Sequence, residues 1–361
     1  MTTTPVKVLY LLHDSRRSGV PAVLASLILS LDRSRVQPSV LFAYDGVYAD
    51  ELRAAGIPVT VVGRRWPFIW RLNRFLLNLH LIKLAAAADV VHVNSIKLVP
   101  SVLVAKLFGA KVVFHLHEKA GVGGWLLKKA SAMADCLLFC AVNCAAHYAA
   151  LPTNRRQTIL NAVRLPVVTS SEPSSAGLNI VMLGSINRNK GQDLLLEAFS
   201  RLARKDVTLH LYGTVGLSAR GFVAGLRRFV TDQGLTDRVF FPGPTADAAR
   251  VFREATILVH SSLNECMSIS VLEAMSYGVP VIANRIPGMD EIITDGENGF
   301  LVTPGDVAEL AARIGQLLDD PALRLRIGAA GRRNVEERFD MQQRAAEFAT
   351  LYETLVAGGR Q

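Results

Sequence analysis

Short apolar runs alternate with longer amphipathic stretches along the whole chain. Residues 6–12, 37–42, 59–62, 90–93, 111–116 and 136–142 are rich in Val, Ile, Leu and Phe and are predicted strands, with helical periodicity between most of them. The alternation breaks at 169–177, a polar stretch carrying Pro173 and Gly177 that reads as a linker. It restarts at Leu178, with strands predicted over 178–183, 207–211, 239–241, 256–260 and 279–283, and a helix over 192–202. Strands this apolar are buried on both faces, which points to parallel sheets covered by helices. The expected fold class is therefore α/β, with two Rossmann-like domains over 1–168 and 178–340. A helical closing segment, 341–361, is expected to cross back to the first domain.

Composition narrows the class without changing that picture. At 361 residues the chain holds two domains of ordinary size, and half its residues are apolar while 20% are charged, which excludes a disordered chain. Met1-Thr-Thr-Thr-Pro5 runs straight into the first predicted strand, so no secretory leader is expected and the reading is cytoplasmic. The longest uncharged stretch, 136–154, is interrupted by Asn143, His147 and Pro152 and reads as a strand followed by a helix rather than a membrane span. The four cysteines lack metal-ligand spacing, so packed, reduced thiols and no metal are expected.

Charge is uneven. Residues 1–170 hold 20 Lys and Arg against 8 Asp and Glu, a net of +12, whereas residues 171–361 hold 20 against 23, a net of −3. The first half is thus expected to meet something anionic. No helix-turn-helix, zinc-finger or RNP-like pattern is present, so nucleic acid is not the expected partner. An anionic membrane surface or a lipid-phosphate acceptor suits the distribution. Its best candidate contact is residues 64–77, where Arg64, Arg65, Arg71 and Arg74 mix with Trp66, Phe68 and Trp70. On a helix Phe68, Leu72, Phe75, Leu76 and Leu79 form one stripe, with Arg71, Arg74 and Asn78 on another face. A helix packed on its own sheet shows the same stripe, so both readings stand. Trp125 with Lys128 and Lys129 is a second candidate.

The densest chemistry lies in the run from Ile257 to Asn284. A predicted strand ends at His260, a polar loop carries Glu265, a short helix carries Glu273, and another strand follows. Seven residues separate the two acids, and the helix start between them, near Ser268, offers backbone N–H groups to an anion. Hydroxyl-binding, anion-binding and again hydroxyl-binding groups match the polarity of a nucleotide sugar. Upstream, the strand 178–183 ends at Gly184, and the loop Ser185-Ile186-Asn187-Arg188-Asn189-Lys190-Gly191 leads into a helix. The glycines permit close backbone approach, while Lys190 and the helix start favour a diphosphate. Neither a dinucleotide GxGxxG nor a Walker loop is present.

These two segments resemble the E-x7-E signature and the diphosphate loop of retaining GT-B glycosyltransferases, most closely glycosyltransferase family 4. The resemblance implies two Rossmann-like domains with parallel sheets facing an interdomain cleft. It implies that Glu265 approaches the donor sugar, Glu273 holds the ribose hydroxyls and Lys190 the diphosphate. Ser185 stands where the family often has Arg, so either Arg188 substitutes or one diphosphate contact is missing. Cys266, Met267 and Ser268 replace the usual Gly-Phe-Gly, leaving backbone amides from there to Ile269 for the donor, together with Gly184. In the first domain, Gly19 keeps one glycine of a Gly-Gly turn near the donor phosphate. His117, with His115 second, matches a functional histidine after a strand, and Asn94-Ser95 and Asn161 occupy similar strand-end or hinge positions. Glu291, in a Gly-rich loop beginning at Gly288, reads as structural.

The implied reaction transfers a hexose from a nucleotide diphosphate sugar, UDP- or GDP-linked, to a hydroxyl of a glycan or lipid-linked glycan. It proceeds with retention, without a cofactor or metal, and in cell-envelope or exopolysaccharide synthesis. Glu265, His117 and Lys190 are its expected catalytic residues. An inverting GT-B enzyme and a non-catalytic nucleotide-sugar-binding module are the alternatives, the second favoured by the changes at Ser185 and Cys266–Ser268.

Overall fold

The computed structural model describes residues 4–63, 70–122, 124–167 and 177–358, with the side chains of residues 70–72 and 74 outside that description. Arg64 to Ile69 and nearly all of the expected linker therefore lie outside the described residues. The chain divides into two compact units, Met1–Arg164 with Asp340–Gln361, and Leu165–Phe339. The division falls a few residues before the expected 168, and the closing helix Met341–Ala357 belongs with the first unit.

The first unit is built on seven strands: β1 (Val6–Leu12), β2 (Val36–Tyr44), β3 (Val59–Gly63), β4 (Val90–Asn94), β5 (Lys111–Leu116), β6 (Cys136–Phe139) and β7 (Arg156–Thr158). All pair in parallel in the order β3-β2-β1-β4-β5-β6-β7. The strand expected over 136–142 stops at Phe139, because Val142–His147 turns into a short helix. That division of the uncharged stretch is the one its polar residues predicted. The three-residue β7 escaped the apolar pattern because it reads Arg-Gln-Thr.

The closing helix covers one face of this sheet. Phe348, Leu351 and Tyr352 are buried on it, and it packs against β1 and the helix Gly19–Ser30. Its Tyr352 hydroxyl sits 2.9 Å from that of Tyr10 and 2.7 Å from Nδ1 of His92, while His92 Nε2 lies 3.1 Å from His115 Nδ1. Four buried side chains are thus linked by hydrogen bonds in one chain, which ends at His115.

The helix expected in the region of 68–79 runs over Trp70–Ala85, but its buried face differs from the predicted stripe. Asn73, Leu77 and Leu81 are buried at successive four-residue steps, whereas Phe75 is 61% and Leu79 43% exposed. Asn73 sits inside because Gly63 has no side chain there: a Cβ on Gly63 would lie 2.6 Å from the Asn73 Oδ1.

The second unit is a six-stranded parallel sheet of β8 (Leu178–Leu183), β9 (Val207–Tyr212), β10 (Val239–Gly243), β11 (Ile257–His260), β12 (Val281–Asn284) and β13 (Phe300–Val302). Its order is β10-β9-β8-β11-β12-β13. Ile180, Leu195, Leu209, Ile257, Ile282 and Ile314 are fully buried members of one core cluster, which joins the sheet to its helices. Burial at about 25 cal/mol per Å² of apolar surface drives this assembly. The strand order reverses between β8 and β11, and loops at such a switch point open at the carboxyl ends of the strands, where open α/β sheets take ligands.

Candidate functional site

The switch point of the second unit is where the two sequence motifs meet. Lys190 follows β8 through a tight turn, Arg188–Lys190, closed by Gly191 at φ 69°. A Cβ on Gly191 would overlap the carbonyl of Ser261, so glycine is required both by the left-handed backbone and by that approach. The Ser261 hydroxyl donates to the Gly191 carbonyl at 2.8 Å. The Leu263 amide donates to Asn189 at 2.8 Å, and the Asn189 side chain donates to the Asn264 carbonyl at 3.0 Å. His260 pairs with Ala283 in the β11–β12 register, which brings Asn284 beside Ser261, and its Nδ2 donates to the Ser261 carbonyl at 2.8 Å. The loops after β8 and β11 are thereby stitched into one unit.

That stitching joins Lys190 to Glu265 in an ion pair between Nζ and Oε1, with side-chain exposures of 20% and 18%. His260 lies beneath them, its Nε2 3.7 Å from the same Oε1. Burial alone would raise the Glu265 carboxyl, but the Lys190 ammonium outweighs it and holds the group below the ordinary range. Burial first, then Lys190, lowers His260 to about 4, so its ring is neutral near pH 7. Gly288 backs the loop: a Cβ there would overlap the Cys266 carbonyl and come within 2.9 Å of the Glu265 carbonyl oxygen.

The helix Ile269–Ser276 begins directly after this loop. Ser268 stands at its N-cap, but its hydroxyl lies 3.1 Å from that of Ser270 and caps no backbone amide. The first-turn N–H groups, from Ile269 onward, keep their donor capacity for a ligand. Glu273 rides the same helix, and burial pushes its carboxyl up to about 7. Cys266 and Met267 are only 7% and 6% exposed, so they offer main chain rather than side chain to this surface. Gly184 lies close to Lys190, a Cβ there falling 3.8 Å from the lysine Cε. Ser185 is exposed and accepts from Asn187 Nδ2 at 3.0 Å, while Arg188 stacks on Phe222 at 5.3 Å.

In the first unit both expected histidines sit at the carboxyl end of β5, beside the end of β4. Asn94 is opposite His115 in the β4–β5 register, and its Oδ1 accepts from His117 Nε2 at 3.3 Å. The His115 and His117 rings lie in contact, tilted 37° to each other with centroids 3.8 Å apart. Burial lowers His117 to about 3, and its Nδ1 is a buried atom without a hydrogen-bond partner. His115 is instead drawn inward, to His92. Ser95 holds φ 86°, the one positive φ outside glycine among the described residues, and its hydroxyl donates to Glu118 at 2.6 Å. Such backbone strain collects at functional sites. Gly19 opens the helix Gly19–Ser30 with nothing within 4 Å of a Cβ placed on it. Asn161 lines a small pocket with His115, Met341, Arg344 and Phe348.

His260, Ser261, Asn284 and His92 carry much of this geometry without having been singled out in the sequence. Each lies at or near the carboxyl end of a parallel strand, and that placement is the signal that would have found them.

Two family models match in chain order: residues 18–164 match the glycosyl transferase 4-like domain, and residues 177–320 match glycosyl transferases group 1. EpsD of Bacillus subtilis is 31% identical over 276 residues, which cover 69% of this chain and 71% of EpsD. The MMP alpha-(1->4)-mannosyltransferase of Mycolicibacterium hassiacum is 36% identical over 172 residues, covering 46% of this chain and 41% of that enzyme, so the matched region spans under half its length. Among solved structures, Anabaena Alr3699/HepE in complex with UDP and glucose superposes with a TM-score of 0.85 at 22% identity, covering 96% of this chain and 99% of HepE. With EpsD aligned over more than two thirds of its length and both domain models matched in order, the chain belongs to the group 1, or family 4, glycosyltransferases and has their GT-B fold.

Proposed function

We propose that the chain transfers a hexose from a nucleotide diphosphate sugar to a hydroxyl of a glycan or lipid-linked glycan, with retention of configuration. The carrying observation is the convergence, in the second unit, of Lys190, Glu265 and the uncapped start of the helix that bears Glu273. Lys190 and the helix amides take the diphosphate, Glu273 takes the ribose hydroxyls, and Glu265 faces the transferred sugar. As the bond from the anomeric carbon to the phosphate oxygen breaks, the acceptor oxygen bonds to that carbon on the same face. The acceptor proton passes to the leaving diphosphate. Positive charge for the leaving group comes from Lys190 and the helix N-terminus, and the proposed reaction needs no metal. Preorganised donors of this kind are each worth about 3–4 kcal/mol of barrier.

His117 and Asn94, with His115 behind them, furnish the acceptor-side groups of the first unit. The complex of HepE with UDP and glucose favours a UDP-linked donor, with GDP the other choice, and the mannosyltransferase relative favours a hexose. The net +12 of residues 1–170 and the exposed Phe75 and Leu79 favour an acceptor presented at an anionic membrane surface, as in envelope or exopolysaccharide synthesis. No helix among the described residues is long and apolar enough to cross a membrane, so such contact would be peripheral.

A thermal-shift panel of UDP, GDP, ADP and dTDP with their common sugars, with Mg²⁺ or with EDTA, tests the donor site. A ligand at a hundred times its dissociation constant stabilises by about 2.7 kcal/mol. One nucleotide should stand out in both conditions. A flat response to every nucleotide overturns the reading, and an inverted anomer in the product overturns retention.

A further inference from the structure

We propose that His13 and His117 form a hydroxyl clamp at the switch point of the first unit. The two neutral imidazoles are locked in opposite tautomers, so that one donates to, and the other accepts from, a single hydroxyl of the sugar acceptor. The inference rests on the transferase reading above and gives its acceptor side a further residue and a ligand chemistry.

The place follows from the sheet. Strand order reverses between β1 and β4, so the loops after these strands open at a crevice, as those after β8 and β11 do in the second unit. His13 directly follows β1, Lys97 lies just beyond β4, and His117 directly follows β5, the strand next to β4. The two histidines are near enough for His13 to act on His117 electrostatically.

In each ring one nitrogen faces a partner that can play only one part. Lys97 Nζ lies 3.3 Å from His13 Nε2. An ammonium donates and cannot accept, so that nitrogen accepts and the ring hydrogen of His13 sits on Nδ1. His117 Nε2 lies 3.3 Å from Asn94 Oδ1. The Asn94 amide is fixed from its other end, where Nδ2 donates to the His92 carbonyl at 3.1 Å and to the Leu11 carbonyl at 3.4 Å. Turned over, the amide would set its oxygen against two carbonyl oxygens. Oδ1 therefore accepts, His117 carries its hydrogen on Nε2, and its Nδ1 presents a lone pair.

Both rings are neutral near pH 7. Burial first, then Lys97, lowers His13 to about 4, and burial first, then His13, lowers His117 to about 3. Asp14, the acid beside His13, is turned to Arg16 and accepts from its Nε at 2.7 Å. His117 Nδ1 is buried and has no partner among the described residues, which buried polar atoms rarely sustain.

This pair of tautomers selects its ligand. An anion would meet the lone pair of His117, and an ammonium would meet the N–H of His13. A hydroxyl both accepts and donates, and so satisfies the two nitrogens at once. Water shares that chemistry, and the test separates it from a sugar.

The experiment reads the side-chain nitrogens of both histidines by NMR, in the free protein and with the nucleoside diphosphate identified in the panel. Methyl α-glucopyranoside and methyl α-mannopyranoside are the probes. The expected result is hydrogen on Nδ1 of His13 and on Nε2 of His117, and a glycoside that moves both resonances with one midpoint. His13→Phe should weaken glycoside binding about tenfold, the worth of one hydrogen bond. His13→Asn, whose amide carries an N–H near the place of Nδ1, should recover most of that, and both variants should bind the diphosphate as wild type does. The same tautomer in both rings overturns the inference. So do glycosides that move neither resonance, which leaves water alone as the occupant, and an equal loss in the two variants, which marks His13 as packing only. Glycoside binding as described in a protein that binds no nucleotide upholds the clamp and sinks the donor-site reading instead.

Discussion

Lys190 and Glu265 are 75 residues apart in the chain, follow adjacent strands of one sheet, and are bonded side chain to side chain. The pair is partly buried, so removing one partner leaves the other badly placed. Lys190→Met should destabilise the free protein by about 1–3 kcal/mol. The double variant Lys190→Met with Glu265→Gln should regain most of that in urea unfolding. Turnover should not return, since the ammonium is still missing, and should stay about 100- to 1,000-fold down.

Glu273 predicts an opposed effect on stability and on binding. Burial pushes its carboxyl up to about 7 in the folded chain, against 4.5 for a free side chain. Between those two values the folded state holds the proton and the unfolded state does not, so stability falls as pH rises through that window and levels off above it. The shift corresponds to about 3 kcal/mol. Glu273→Gln should therefore be more stable than wild type at pH 8, indistinguishable from it at pH 4, and weaker in nucleotide binding. Equal wild-type and variant midpoints at pH 8 would refute the assignment of a raised carboxyl.

Gly288 is the support behind the Glu265 loop. Gly288→Ala places a methyl group against the carbonyls of Glu265 and Cys266. Overpacking of this kind costs about 1–3 kcal/mol, and relief by moving the loop would displace Glu265. Turnover should fall further than stability, a difference seen by comparing kcat with the urea midpoint.

Tyr352→Phe removes the hydroxyl that links Tyr10 to His92. Two buried polar groups lose a partner while packing is kept, and the expected cost is about 1–3 kcal/mol. Chemical denaturation read by a probe in the first unit checks it.

The α/β class and most strands were legible because parallel strands buried on both faces are continuous apolar runs, as β4 and β11 show. β7 was not, since an edge strand of Arg, Gln and Thr carries no such pattern. The stripe proposed for the helix Trp70–Ala85 went astray for a related reason. Hydrophobicity favoured Phe75 and Leu79, but the backbone turned Asn73 inward against a glycine, a tertiary fit that no periodicity contains. At the candidate site, spacing drew attention to Glu265, Glu273 and Lys190. The stitching by Ser261, Asn189 and Asn284 was invisible, because it depends on which strands are neighbours, and strand order is not written locally.

The first unit is completed by a helix that follows the whole second unit in the chain. Its sheet is fully translated by Thr158, yet the hydroxyl that satisfies Tyr10 and His92 arrives only with Tyr352. On the ribosome, the continuous stretch Leu165–Phe339 can reach its own folded state first, inverting the usual N-terminal-first sequence of events. At about 5–20 residues per second, the nascent first unit waits roughly ten to forty seconds with an apolar face uncovered. Chaperone dependence in expression, and sensitivity to truncation before Met341, would both be properties of the amino-terminal unit.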